Sequence, residues 1–356
     1  MDYRSILFFL GFNLIFFSIF PIVNIAYSVY FDFLLALDDY LLILFITLII
    51  GSLFFYLGKN SKNNFALTEQ ITFIVLIYCI VPLLISIPYT FSIYDLSFID
   101  SYFESVSGFT TTGFTVLDNV ENIDKPLILW RSSSQWLGGL MFLLITIGTI
   151  GSKQIRIKPS YLISGGASGR NFYNNYNSNF IKILLIYFSL TFFVIFLYTL
   201  VDFRLFDSFN IAFTTISSGG FIPKNNLSDI LQNNLQIFIL SITLMIPIFN
   251  FFLLYDIFTR QFSFRSYYED IHLGLLILVL IVLFYFFIIP EEGFSNVLLS
   301  ITSSISTSGI SNYSSSDDLS LFFILLAICG GSLISTSSGY KYTRIYILLK
   351  ISYQEI

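Results

Sequence analysis

Charge is scarce in this sequence. Only 11% of its 356 residues are Asp, Glu, Lys or Arg, against about 25% in a soluble domain. Too few charges remain to cover a water-facing surface. Histidine is almost missing: the single His272 stands where an apolar run begins and reads as a satisfied interfacial residue rather than a ligand. The two cysteines, Cys79 and Cys329, both fall inside apolar runs and suggest neither a disulfide framework nor a metal cluster. No paired carboxylates, Ser/His pair or metal set is visible, so the constellation that an enzyme needs is lacking. No glycine-rich fingerprint follows a strand pattern. Nothing points to a resident cofactor or to nucleic acid.

What the chain has instead is apolar length. Hydrophobic residues make up 56% of it, and the mean hydropathy is +0.81. The runs 6–19, 41–56, 71–88, 137–150, 183–201, 237–257 and 273–289 are nearly free of charge. A crossing helix needs about 20 mostly apolar residues, and the shorter runs reach that with polar flanks. The first run lacks a small-residue cleavage site and is followed by a second, so it reads as a retained helix rather than a signal peptide. The expectation is an all-α polytopic membrane protein.

The few charges are sorted by sign. Lys59, Lys62, Lys153, Arg156, Lys158, Arg170, Lys182, Arg260, Arg265, Arg344 and Lys350 fall in alternate connections. The other connections hold mostly acids, among them Asp32, Asp38, Asp95, Asp118, Glu121, Asp202, Asp229, Glu291 and Asp317. Cytoplasmic loops collect Lys and Arg. That places the N-terminus and the 59–69, 151–182 and 259–270 loops inside. The acidic outer face either concentrates cations at a pore mouth or simply reflects exclusion of basic residues.

One unit recurs three times: an apolar helix, a Ser/Thr-rich stretch ending in Gly plus a hydrophobic residue, and a second apolar helix. The copies contain FESVSGFTTTGF at 103–114, TTISSGGF at 214–221 and SSISTSGI at 303–310. Each polar stretch is too short to cross and reads as a re-entrant segment entered from outside. Such backbone is tolerated at membrane depth only where it lines a polar cavity or is buried in protein. Carbonyls and hydroxyls there can replace the hydration shell of a cation. The candidate filter residues are Thr111, Thr112 and Gly113, then Ser218, Gly219 and Gly220, then Thr307, Ser308 and Gly309. These residues alone specify a monovalent, largely dehydrated cation.

At these residues the chain resembles the TrkH/KtrB potassium transporter superfamily, and its TrkH branch more closely. The resemblance is carried by FESVSGFTTTGFTVL at 103–117, WRSSSQWLGG at 130–139, TTISSGGF at 214–221 and, degenerately, GGSLISTSSGYKYTRIYILLK at 330–350. In the last stretch Ile334 and Ser338 stand where the family has glycines. The resemblance implies a potassium-uptake pore subunit of the bacterial inner membrane, with its N-terminus cytoplasmic. It implies a homodimer paired with a cytoplasmic nucleotide-binding regulatory subunit, for which the basic loop 151–182 is a plausible docking surface. It also implies two N-terminal helices at 1–58 and helix–pore–helix units at 69–150, 181–258 and 271–350. A family member carries a fourth unit. The sequence ends at Ile356 after the third, so the expectation is a chain lacking the fourth pore unit.

The stretch 319–350 is too long for one straight crossing, and its small, polar middle predicts a broken helix. Gly330, Gly331, Ser335, Thr336, Gly339 and Lys341 are the candidate gate residues. Close packing of small residues against a neighbouring helix is the other reading. Lys341 and Arg344 either repel cations there or snorkel to the cytoplasmic surface, and snorkelling is preferred. Glu104 in the first pore helix is a possible partner for Arg131, and Trp130 reads equally as an interfacial anchor. Two further function classes remain open: a non-conducting or degenerate homologue needing a partner chain, and a cation-coupled secondary transporter, for which Asp256 is the one weak coupling residue.

Overall fold

A computed structural model describes residues 3–60, 67–92, 94, 96–150, 176–258, 260, 267–312 and 317–355. Lys62, Asp95, Lys153, Arg156, Lys158, Arg170, Arg265 and most of the proposed docking loop 151–182 lie outside these residues. All regular elements among the described residues are helical. In chain order they are α1 (Tyr3–Phe17), α2 (Ile19–Tyr30), α3 (Leu37–Gly58), α4 (Leu67–Ile85), α5 (Ile87–Phe91), α6 (Phe98–Phe109), α7 (Lys125–Ile150) and α8 (Tyr176–Leu200). They continue as α9 (Leu205–Ser217), α10 (Asn234–Thr243), α11 (Phe251–Phe258), α12 (Tyr268–Leu283), α13 (Phe294–Ser306), α14 (Asp317–Cys329) and α15 (Tyr342–Glu355). A π-helical turn, Phe284–Ile288, extends α12. Among the described residues, five spans are long and apolar enough to cross a membrane: Tyr3–Tyr30, Leu37–Gly58, Thr68–Phe91, Phe180–Leu200 and Tyr268–Ile288.

The described residues form two compact units, one up to Gly138 and one from Gly139 onward. In the first, α1 packs on α3 and α4, and α4 packs on α6. Small residues let α1 and α3 approach closely: a Cβ on Gly11 would sit 2.3 Å from the Phe55 nitrogen, and one on Gly58 would sit 2.4 Å from that of Phe8. Apolar lipid gives helices no hydrophobic reason to associate, so such close backbone packing carries the contact. Trp130 is 1% exposed, which corrects its reading as an interfacial anchor. Its ring packs 6.1 Å from Phe17 and 5.4 Å from Tyr40, and its Nε1–H donates to the Ile85 carbonyl at 3.0 Å. A buried indole needs such a partner for its one donor.

In the second unit, α9 packs on α8, and α13 packs on α10, α12 and α14. Its apolar core joins Ile248, Leu273, Ile277, Phe284, Val297, Ile301, Ile305 and Leu326. The run 237–257, read above as one helix, is broken between Thr243 and Phe251. Pro247 lies in the break and lacks the N–H that a helix interior requires.

Candidate functional site: three glycine loops and a paired helix break

The three polar repeats end their helices in one way. At the end of α6, Thr111 N–H donates to the Gly108 carbonyl at 3.0 Å, and Thr112 N–H reaches back to the Ser107 carbonyl at 2.9 Å. After α9 the corresponding bonds run from Ser218 to Thr215 at 3.2 Å and from Gly219 to Thr214 at 2.8 Å. After α13 they run from Thr307 to Ser304 at 3.0 Å and from Ser308 to Ser303 at 3.1 Å. This is the Schellman arrangement, which normally places Gly in the left-handed position. Here that position is Thr111, Ser218 or Thr307, with φ of 55°, 61° and 62°. Two residues on, Gly113, Gly220 and Gly309 also have positive φ, at 84°, 85° and 66°. Each hydroxyl-bearing residue held left-handed costs about 1–2 kcal/mol relative to an ordinary conformation. Strain of this kind persists where surrounding structure enforces it, and it concentrates at functional sites.

The first loop belongs to the first unit, where a buried ion pair braces it. Arg131 Nε donates to Glu104 Oε1 at 2.9 Å, with side chains 2% and 0% exposed. Glu104 also accepts from Thr115 Oγ1 and from the Val116 backbone N–H, each at 3.0 Å. Arg131 Nη2 donates to Thr115 Oγ1 at 3.1 Å. One carboxylate on α6 therefore holds the strand of chain just after Gly113 against α7. The Gly138–Gly139 pair on α7 serves the helix ends. A Cβ on Gly138 would meet the Phe109 carbonyl oxygen at 1.9 Å, and within the second unit one on Gly139 would meet Ser217 Cβ at 2.8 Å.

The second and third loops touch. Ser218 Oγ donates to the Ser306 carbonyl at 2.5 Å, and a Cβ on Gly220 would fall 2.0 Å from the Ser308 carbonyl oxygen. By contrast, nothing lies within 4 Å of the corresponding place on Gly309.

Between α14 and α15 the residues from Gly330 to Lys341 are not helical. This stretch pairs with the break before α11. Ser332 N–H donates to the Ile248 carbonyl at 2.8 Å, Ser337 N–H to Pro247 at 3.1 Å, and Phe251 N–H to Ile334 at 2.7 Å. Backbone groups freed by two interrupted helices thus satisfy each other, which an apolar surrounding demands. The stretch also reaches the glycine loops. Thr336 Oγ1 donates to the Ile216 carbonyl at the end of α9, and Ser338 N–H donates to Thr307 Oγ1, both at 2.8 Å. Gly330 and Gly339 supply left-handed turns at φ 64° and 88°. A Cβ on Gly331 would sit 2.3 Å from the Ile248 carbonyl oxygen.

Lys341 does not snorkel. It is 6% exposed and folds back onto its own loop, donating from Nζ to Ser335 Oγ at 3.0 Å and to the carbonyls of Ser335 and Ser337. Three loop oxygens satisfy the three N–H donors of an ammonium, so the head has no need of the surface. Arg344, one turn on, is exposed. Sequence reasoning missed the partner of this loop, the 247–251 segment, for which Pro247 and Asn250 were the available signals. Asn250 Oδ1 accepts from the Phe252 N–H at 3.0 Å and starts α11, as an Asn cap does. Asp256, 0% exposed, accepts from the Tyr267 hydroxyl at 2.6 Å.

No protein-family model matches the chain. It is 26% identical to an uncharacterized cation transporter of Methanocaldococcus jannaschii, over 100% of this chain and 73% of that protein. It is also 26% identical to the Trk system potassium uptake protein TrkG of Escherichia coli, over 89% of this chain and 69% of that protein. The crystal structure of the potassium transporter TrkH from Vibrio parahaemolyticus superposes with a TM-score of 0.83 at 22% identity, covering 100% of this chain and 76% of that one. The chain is a multi-pass membrane protein whose homologues are Trk-type potassium transporters, and its fold is that of TrkH.

Proposed function

We propose that this chain is a pore subunit for potassium uptake, passing a dehydrated monovalent cation along backbone carbonyls and Ser/Thr hydroxyls of the three glycine loops. The observation that carries the reading is the recurrence of one strained cap. Three times a helix ends on a left-handed Ser or Thr where Gly would be cheaper. Ser218 and Thr307 also use their hydroxyls to join neighbouring loops, and a hydroxyl so held can take the place of a water on a dehydrating cation. The names of the relatives supply potassium as the ion. We further place the chain in the bacterial inner membrane, as the resemblance implies, with its N-terminus in the cytoplasm, following the sorted charges. A homodimer with a cytoplasmic nucleotide-binding subunit, and the three helix–pore–helix units after residue 58, follow from the resemblance stated above.

Proteoliposomes holding the purified chain are expected to accumulate rubidium, with potassium competing better than sodium. Correctly inserted protein that passes no rubidium would sink the conducting reading and favour a homologue that works only with a partner.

We also assign the 330–341 stretch as the gate, because its hydroxyl and amide groups bond directly to residues at two of the loops. Shortening 332–338 is expected to raise the flux. Unchanged flux and unchanged gating would leave the stretch as packing only.

A further inference from the structure

Lys341 presents an unusual combination: a charged head, almost wholly buried, whose ligands all come from its own loop. The oxygens around it are also tied to one another within the loop. Ser335 Oγ donates to the Ser332 carbonyl at 2.7 Å and lies 2.8 Å from Ser337 Oγ, while Gly331 N–H donates to Ser337 Oγ at 3.0 Å. Around this cluster, the Phe142 ring centroid lies 5.9 Å from Nζ, a face that attracts cations. Glu269 on α12, which accepts from the Leu333 N–H of the same loop at 3.1 Å, and Arg344 are the charged groups that act on it.

The chemistry of this cluster is that of a cation site. Two carbonyls, a hydroxyl, an aromatic face and a nearby carboxylate ask for a monovalent cation with weakly held water. An ammonium head and a free potassium ion make the same demand on such oxygens. We infer that the Ser335–Ser337 oxygens form a monovalent-cation site within the loop, occupied by the tethered ammonium of Lys341 and open to free potassium or ammonium when that side chain withdraws. The lysine is then a resident plug that competes with the permeating ion for one set of ligands. Its effect on flux rests on the gate reading above, whereas the site itself does not.

The test uses the full chain carrying Lys341→Met, which keeps most of the apolar stem and removes the charge. The protein is crystallised with thallium(I), and anomalous density is measured. A peak among the Ser335 and Ser337 oxygens in the variant, and none there in wild type, is expected. Density at the glycine loops without density at this cluster would overturn the inference. Density at this cluster without any at the glycine loops would uphold it and remove the pore reading instead. Should the variant fail to fold, wild-type protein is treated with an amine-acylating ester in potassium chloride and in choline chloride, and modification of Lys341 is read by mass spectrometry. Competition predicts several-fold more acylation in potassium. Equal acylation in the two salts would overturn the inference.

Discussion

Arg131→Met is expected to destabilise the protein by about 3–5 kcal/mol, because it leaves the Glu104 carboxylate buried without its cation. Glu104 is 0% exposed and Arg131 2%, so water cannot take the place of the missing partner. The damage should reach beyond stability. The same carboxylate holds Thr115 and the Val116 N–H, which fix the chain leaving Gly113. Rubidium flux should therefore fall with Arg131→Met and with Glu104→Gln alike. The double variant should recover part of the stability, since it buries no uncompensated charge, but not the flux, since the loop has lost its brace. Chemical unfolding in detergent and flux from the same preparations check both. Single variants within about 1 kcal/mol of wild type would be in the range of an exposed pair and would remove the brace.

Gly220→Ala is expected to abolish flux, while Gly309→Ala should retain a measurable part of it. Both carry positive φ, so both alanines meet the left-handed penalty of about 1–2 kcal/mol. Only at Gly220 does the added carbon fall 2.0 Å from another loop's carbonyl oxygen. Overpacking adds about 1–3 kcal/mol, and the strain falls on Ser308, itself a proposed ion ligand. At Gly309 the added carbon meets open space. Equal loss in the two variants would show that backbone conformation alone, and not contact between the second and third loops, sets the outcome.

Much of the helical layout is legible in the apolar runs, because a bilayer forces length and hydrophobicity on every crossing. The Glu104–Arg131 pair is legible as well: two opposite charges in apolar surroundings have few other partners. Prolines show where reading fails. Pro82 sits inside α4, whereas Pro247 sits in a break. Proline by itself does not separate the two cases, since membrane helices tolerate it when neighbours satisfy the freed groups. What decides is a partner 80-odd residues away, the 331–337 backbone, which sequence proximity does not reveal. The same blindness explains Lys341 and Trp130. Composition assigns lysine and tryptophan to the interface, but three loop oxygens hold the one and the Ile85 carbonyl the other. That the left-handed position falls on Thr111, Ser218 and Thr307, two residues before each glycine, is likewise invisible in a stretch where every neighbour is also Ser, Thr or Gly.

The pairing of the two helix breaks means that the resting shape of the 330–341 stretch is not encoded in that stretch alone. Its outline is copied from a template, the Pro247–Phe251 backbone, and the two can part only by giving up several hydrogen bonds together. Rearrangement there is an unzipping rather than a gradual bend. Substitutions near Pro247 are therefore, in physical terms, substitutions in the loop they face.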